Sequence, residues 1–140
     1  ENNPSVADNQ NNETTAEPTT EEETTTKVPT VEVDLMMIGD MLMHEGVVKS
    51  GLMDDGTYNF DHLYTNIAKD ISSADIKIVN QETILGGSDF AYTGYPTFNS
   101  PWALGDAEVK AGFNIILHAT NHTLDKGLKG VENCLSFWKT

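Results

Sequence analysis

Apolar residues fall into short runs separated by polar clusters, and the spacing within each run changes along the chain. Residues 31–38 (VEVDLMMI) begin by alternating and end as a continuous apolar stretch, as in a strand that becomes buried on both faces; Gly39 then breaks the run. Between residues 61 and 73, Leu63, Ile67, Ala68 and Ile71 recur at helical spacing and predict an amphipathic helix. Residues 76–79 predict a second short strand ending at Asn80. Residues 83–99 contain Gly86, Gly87, Gly94, Pro96 and several aromatics, and read as a long loop able to fold over a site. Ser100-Pro101 reads as an N-cap followed by proline at the first helical position, opening a helix to about Ala111 that Gly112 stops. Residues 113–117 (FNIIL) predict the third strand, and Leu128, Val131, Leu135 and Trp138 mark a last helix. The order β-α-β-α-β-α calls for an α/β fold with a parallel sheet and right-handed crossovers. Three strands leave unpaired edges and the last helix has no terminating cap, so residues 31–140 read as the N-terminal portion of a larger, truncated domain.

Each strand is followed directly by a polar cluster: Gly39-Asp40, Asn80-Gln81-Glu82 and Thr120-Asn121-His122-Thr123-Leu124-Asp125. The carboxyl ends of successive strands are where an open α/β sheet builds its site, and Asp, Glu, Asn and His are metal-ligand types. Gly39 would let the backbone turn and aim Asp40 into the crevice, although a Gly-Asp pair also serves as a plain turn. His44, four residues on, would share a face with Asp40 on a helix and act as a ligand or proton donor, or else face solvent. Glu82 reads as a ligand, a general base or a surface acid, and Asn80 as a turn former. The third cluster is the most specific. Asn121 and His122 suit a divalent metal or a phosphoryl oxygen, and Asp125 can accept the imidazole N–H and fix its tautomer; the plainer alternative is a polar turn. His118 reads as a satisfied core histidine, His62 as a helix-start or solvent residue, and Asp54-Asp55-Gly56 as a turn.

Composition narrows the picture. Residues 1–30 hold eight Thr, seven acidic residues and one basic residue, with few apolar positions, so they cannot bury enough surface to order themselves and are expected to form a disordered acidic spacer. That segment carries −6 of the chain's net −14. No basic patch exists to neutralise phosphates, which disfavours nucleic acid, whereas excess carboxylate fits a cation-collecting site. The single cysteine, Cys134, excludes an intrachain disulfide and reads as a small buried hydrophobe. No apolar run is long enough to span a membrane. The spacer resembles the stalk between an anchor or signal peptide and an extracytoplasmic domain, so membrane contact is expected only through an N-terminal anchor that the segment lacks.

In Gly39-Asp40-Met41-Leu42, Asn80-Gln81-Glu82 and Asn121-His122-Thr123-Leu124-Asp125-Lys126-Gly127, the chain resembles the CapA family of poly-γ-glutamate capsule synthesis proteins, relatives of the calcineurin-like metallophosphoesterases. Phe98-Asn99-Ser100-Pro101 and Ala111-Gly112-Phe113-Asn114 are similar to the family's intervening segments, and the likeness runs from about residue 31 to 138. It implies a metallophosphatase-like four-layer α/β/β/α sandwich, with Asp40, Glu82, Asn121 and His122 as metal ligands. Glu45 stands where many members carry Arg, and Gln81 where Leu is usual. The family's later His-containing motifs would lie beyond residue 140.

The resulting expectation is an extracytoplasmic, surface-anchored protein of capsule or polyglutamate metabolism with a metal-dependent hydrolase-like site. The metal would be manganese, iron, zinc or magnesium. His122, Asp125 and His44 would carry the proton chemistry, on a phosphoester or an anionic γ-glutamyl polymer, in company with other capsule synthesis proteins. The alternative is a non-catalytic polymer-binding or scaffold module.

Overall fold

The computed structural model describes residues 28–140, and every element belongs to the unit Val31–Thr140. The spacer expected over residues 1–30 lies, as far as Lys27, outside the described residues. In chain order the elements are β1 (Leu35–Asp40), α1 (Glu45–Ser50), a 3-10 turn (Asp61–Leu63), α2 (Ala68–Ser73), β2 (Ile76–Asn80), a second 3-10 turn (Gly87–Asp89), α3 (Trp102–Ala111), β3 (Ile115–Leu117) and α4 (Gly127–Phe137). No helix among the described residues is long and apolar enough to cross a membrane.

The three strands form one parallel sheet in the order β1-β2-β3, as the β-α-β-α-β pattern requires. Ile38, Val79 and Ile116 lie side by side on its inner face. They join a single core with Val48 of α1, Ile71 of α2, Leu104 and Ala107 of α3 and Cys134 of α4. The opposite face carries Leu35, Met37, Ile78, Ile115 and Leu117. There Leu35 is 61% exposed and Met37 56%, so the helices cover one side of the sheet and leave an apolar surface on the other.

Local chemistry departs from the sequence pattern at three places. Residues 61–73 form a 3-10 turn and a short α2 rather than one helix, because Tyr64 turns inward against Phe113 between them. Ser100 does not cap α3: its hydroxyl bonds Thr83 Oγ1 at 2.7 Å, and Pro101 takes the cap position. Gly112 ends α3 at φ +105°, the left-handed conformation that its place after Ala111 predicts. In α4 the apolar stripe is split: Leu128 is 76% exposed and Leu135 is exposed too, while Val131 is half-buried and Trp138 packs against the core. Gly130, Asn133 and Cys134 face inward instead, because Asn133 Nδ2 donates to Gly86 O at 2.9 Å and Asp89 Oδ2 at 3.0 Å. Hydrogen bonds that a buried amide must make thus set the roll of this helix against its hydrophobic pattern.

Candidate functional site

Asp40 owes its position to an irregularity at Gly39. The expected break does not occur; β1 runs on through the glycine, and the pairing shifts so that Ile38 faces Val79 while Asp40 faces Asn80. A one-residue slip exchanges the faces of a strand. Asp40 therefore points to the same side as Asn80, whose Nδ2 donates to Asp40 Oδ1 at 2.5 Å. Asn80, read from sequence as a turn former, is a carboxylate-orienting residue. A Cβ at Gly39 would meet nothing within 4 Å, so the bulge does not depend on the missing side chain.

The second cluster is tied to β3 and to the third cluster through its own backbone groups. Gln81 N–H donates to Leu117 O at 2.9 Å, and Thr120 Oγ1 donates to Glu82 O at 2.8 Å. Two threonines build the turn after β3: Thr123 Oγ1 donates to His118 O at 2.5 Å, and His122 N–H donates to Thr120 Oγ1 at 3.1 Å. Such side-chain turns need hydroxyls at fixed offsets, a signal present in Thr120 and Thr123 that the sequence reading did not use.

Within this frame His122 Nδ1 lies 2.7 Å from Asp125 Oδ2, and His122 Nε2 lies 4.0 Å from Glu82 Oε1, with all three side chains largely buried. A carboxylate only accepts, so in the neutral imidazole Asp125 holds the proton on Nδ1 and leaves the Nε2 lone pair free. The same Asp125 oxygen accepts the Phe98 backbone N–H at 2.7 Å. Asn121 is exposed on the turn. His44 does not share a helical face with Asp40, which is in a strand; it caps α1, is exposed, and packs its ring edge-on to Phe98.

Residues 34–140 match the family described as bacterial capsule synthesis protein PGA_cap. The chain belongs to the PGA_cap family. The matched span runs through all three clusters, from Asp40 to Asp125, in agreement with the resemblance those motifs carry. No curated protein and no solved structure shows a significant match.

In this PGA_cap chain the donors come together as pairs. His122 with Glu82 is one, Asp40 with Asn80 the other; among the described residues no group of three or more His, Cys, Asp or Glu side chains is gathered to hold a metal ion. The His122–Glu82 pair has the right chemistry for one. Its 4.0 Å gap is too long for a hydrogen bond. Two donors on one tetrahedral divalent ion, each about 2.0–2.2 Å from it, stand about 3.3–3.6 Å apart, so the pair would close by about half an ångström to share one.

Neighbouring titratable groups have other roles. Burial holds His118 below the usual imidazole range, and its Nε2 accepts the Trp138 indole N–H at 2.9 Å, as expected of a satisfied core histidine. Burial likewise raises the Cys134 thiol, which is 3% exposed and unsuited to nucleophilic work. Asp54-Asp55-Gly56 is the expected turn, with Asp55 accepting from both the amide and the hydroxyl of Thr57. A 280 Å³ pocket lined by Asp61, Tyr64, Ala107 and Lys110 involves none of the cluster residues.

Proposed function

We propose that this capsule synthesis protein acts outside the cytoplasm through a divalent-metal site at the strand ends, on a phosphoester or a γ-glutamyl amide of an anionic polymer. The observation that carries the reading is the His122 imidazole, which is fixed by Asp125 through Nδ1 and leaves Nε2 free beside the Glu82 carboxylate. Glu82 and His122 would hold the ion, with Asp40, oriented by Asn80, and the exposed Asn121 as further donors. A divalent ion there would act as a Lewis acid toward a phosphoryl or carbonyl oxygen. Asp125 keeps the Nδ1 proton in place, and His44, at the exposed mouth beside Phe98, is available to exchange protons with the leaving group.

Charge supports a metal over a bare polymer site. All eight basic residues are lysines, and the chain carries −14 overall, so an anionic polymer would be repelled unless a cation intervened. The apolar sheet face of Leu35, Met37, Ile115 and Leu117 is where the second sheet of a four-layer sandwich would pack. A second reading, a non-catalytic scaffold or polymer-binding module at the cell surface, is favoured by one observation: no three-donor group is gathered among the described residues.

Elemental analysis of the purified protein beside an Asp40→Ala, His122→Ala double variant separates the two. Near-stoichiometric manganese, iron or zinc, lost in the variant, is expected. Absence of metal from both folded proteins, with poly-γ-glutamate still bound, would discard the metal site in favour of the scaffold.

A further inference from the structure

The long loop contributes a residue to the site that no motif singles out as a functional group. Phe98 is 1% exposed and meets the third cluster twice. Its backbone N–H donates to Asp125 Oδ2 at 2.7 Å, and its ring stands edge-on to His122, with centroids 4.5 Å apart and planes at 74°. The same ring meets His44 at 5.3 Å and 75°. The segment that delivers it is bonded to itself and to its surroundings. Thr93 and Asn99 pair through both backbone N–H groups, Asn99 Nδ2 donates to Gly87 O, and Lys126 Nζ donates to Thr97 O at 3.1 Å.

A single hydrogen bond at Nδ1 leaves an imidazole free to swing about its side-chain torsions. A second contact on the ring is needed to fix its plane, and a second donor on the carboxylate is needed to fix the acceptor. Phe98 supplies both from one residue. We infer that Phe98 is a positioning residue: its ring sets the plane of His122 so that Nδ1–H stays aimed at Asp125 and Nε2 toward Glu82, while its backbone N–H holds the Asp125 carboxylate in place as the acceptor. It also explains why the loop lies over the site: the loop braces the imidazole that the strand-end turn presents.

The test is nitrogen-15 NMR of the histidine rings at one fixed pH, in the wild type and in the Phe98→Leu and Phe98→Tyr variants. Zinc affinity by calorimetry and a backbone amide spectrum as the check on folding accompany it. The wild type should show His122 as a single Nδ1–H tautomer, its ring protons shifted by the Phe98 ring current. Phe98→Leu should give a mixture of tautomers and lose zinc affinity by about tenfold or more, the usual scale for removing an outer support of a ligand. Phe98→Tyr, which keeps the ring, should restore both. An unchanged tautomer in folded Phe98→Leu would overturn the inference. The zinc arm rests on the metal-site reading above and the tautomer arm does not: a wild type that binds no zinc removes the former, while a tautomer lost in Phe98→Leu still upholds the latter. Should Phe98→Leu fail to fold, the wild type decides. Ring-current-shifted His122 protons and a slowly exchanging Phe98 amide uphold the brace, and random-coil shifts with fast exchange refute it.

Discussion

Glu108 sits in the inward face of α3 with no exposed surface, and neither carboxyl oxygen has a hydrogen-bond partner. Burial pushes its pKa up to about 8; burial also raises the nearby Tyr64 phenol and Cys134 thiol, with a smaller contribution from Glu108. Because the folded value lies above the unfolded one, the native state holds this proton longer. The contribution to stability is complete below the unfolded value of about 4.5 and is lost as pH rises toward 8, with a slope of at most about 1.4 kcal/mol per pH unit. Glu108→Gln should flatten that slope and make the variant relatively more stable at pH 8 than at pH 5. Urea midpoints at the two pH values check this; parallel pH profiles in both proteins would contradict a buried, protonated Glu108. Residues differed in how readable they were. His122 and Asp125 were legible because both lie in one turn, where a three-residue offset fixes their distance. Phe98 and Thr120 were not, since their partners lie 27 residues (Asp125) and 38 residues (Glu82) away along the chain.

Elements dock through their small residues. Gly105 of α3 lies against α4, and a Cβ there would come within 2.4 Å of the Phe137 ring and 2.9 Å of Leu85 Cδ1. Gly105→Ala should therefore cost about 1–3 kcal/mol through overpacking, despite alanine's better helix propensity. Gly46, in α1, has nothing within 4 Å of the same position, and Gly46→Ala should stabilise by up to about 1 kcal/mol. Thermal melts of the two variants should move in opposite directions; equal shifts would mean that α3 and α4 do not pack this closely in solution. The α4 stripe shows why an element's face is harder to read than its existence. Leu128 and Leu135 keep helical spacing, yet Asn133 decides which side turns inward because its amide must find partners on the 86–89 loop.

For the molecule, the two faces of the sheet should respond differently to mutation. Ile115→Lys, on the uncovered face, should change the stability of this 140-residue chain by no more than about 0.5 kcal/mol, whereas Val79→Ala, fully buried on the inner face, should cost about 1–3 kcal/mol. Chemical denaturation measures both, and a large loss from Ile115→Lys would show that this face is already covered in solution. The three strands, the last two helices, the parallel sheet and the delivery of polar clusters at strand ends were written in short-range pattern, because apolar periodicity acts within a few residues; α1, with only two turns of chain, carried no such period. Membership of the PGA_cap family followed from motifs that are likewise local. Which donors meet was a matter for the tertiary structure alone. The bulge that brings Asp40 round to Asn80, the threonine that ties Glu82 to the His122 turn and the phenylalanine that braces the imidazole all depend on strand register and loop closure. Those are set by pairings between segments far apart in sequence, and no periodicity within a single segment encodes them.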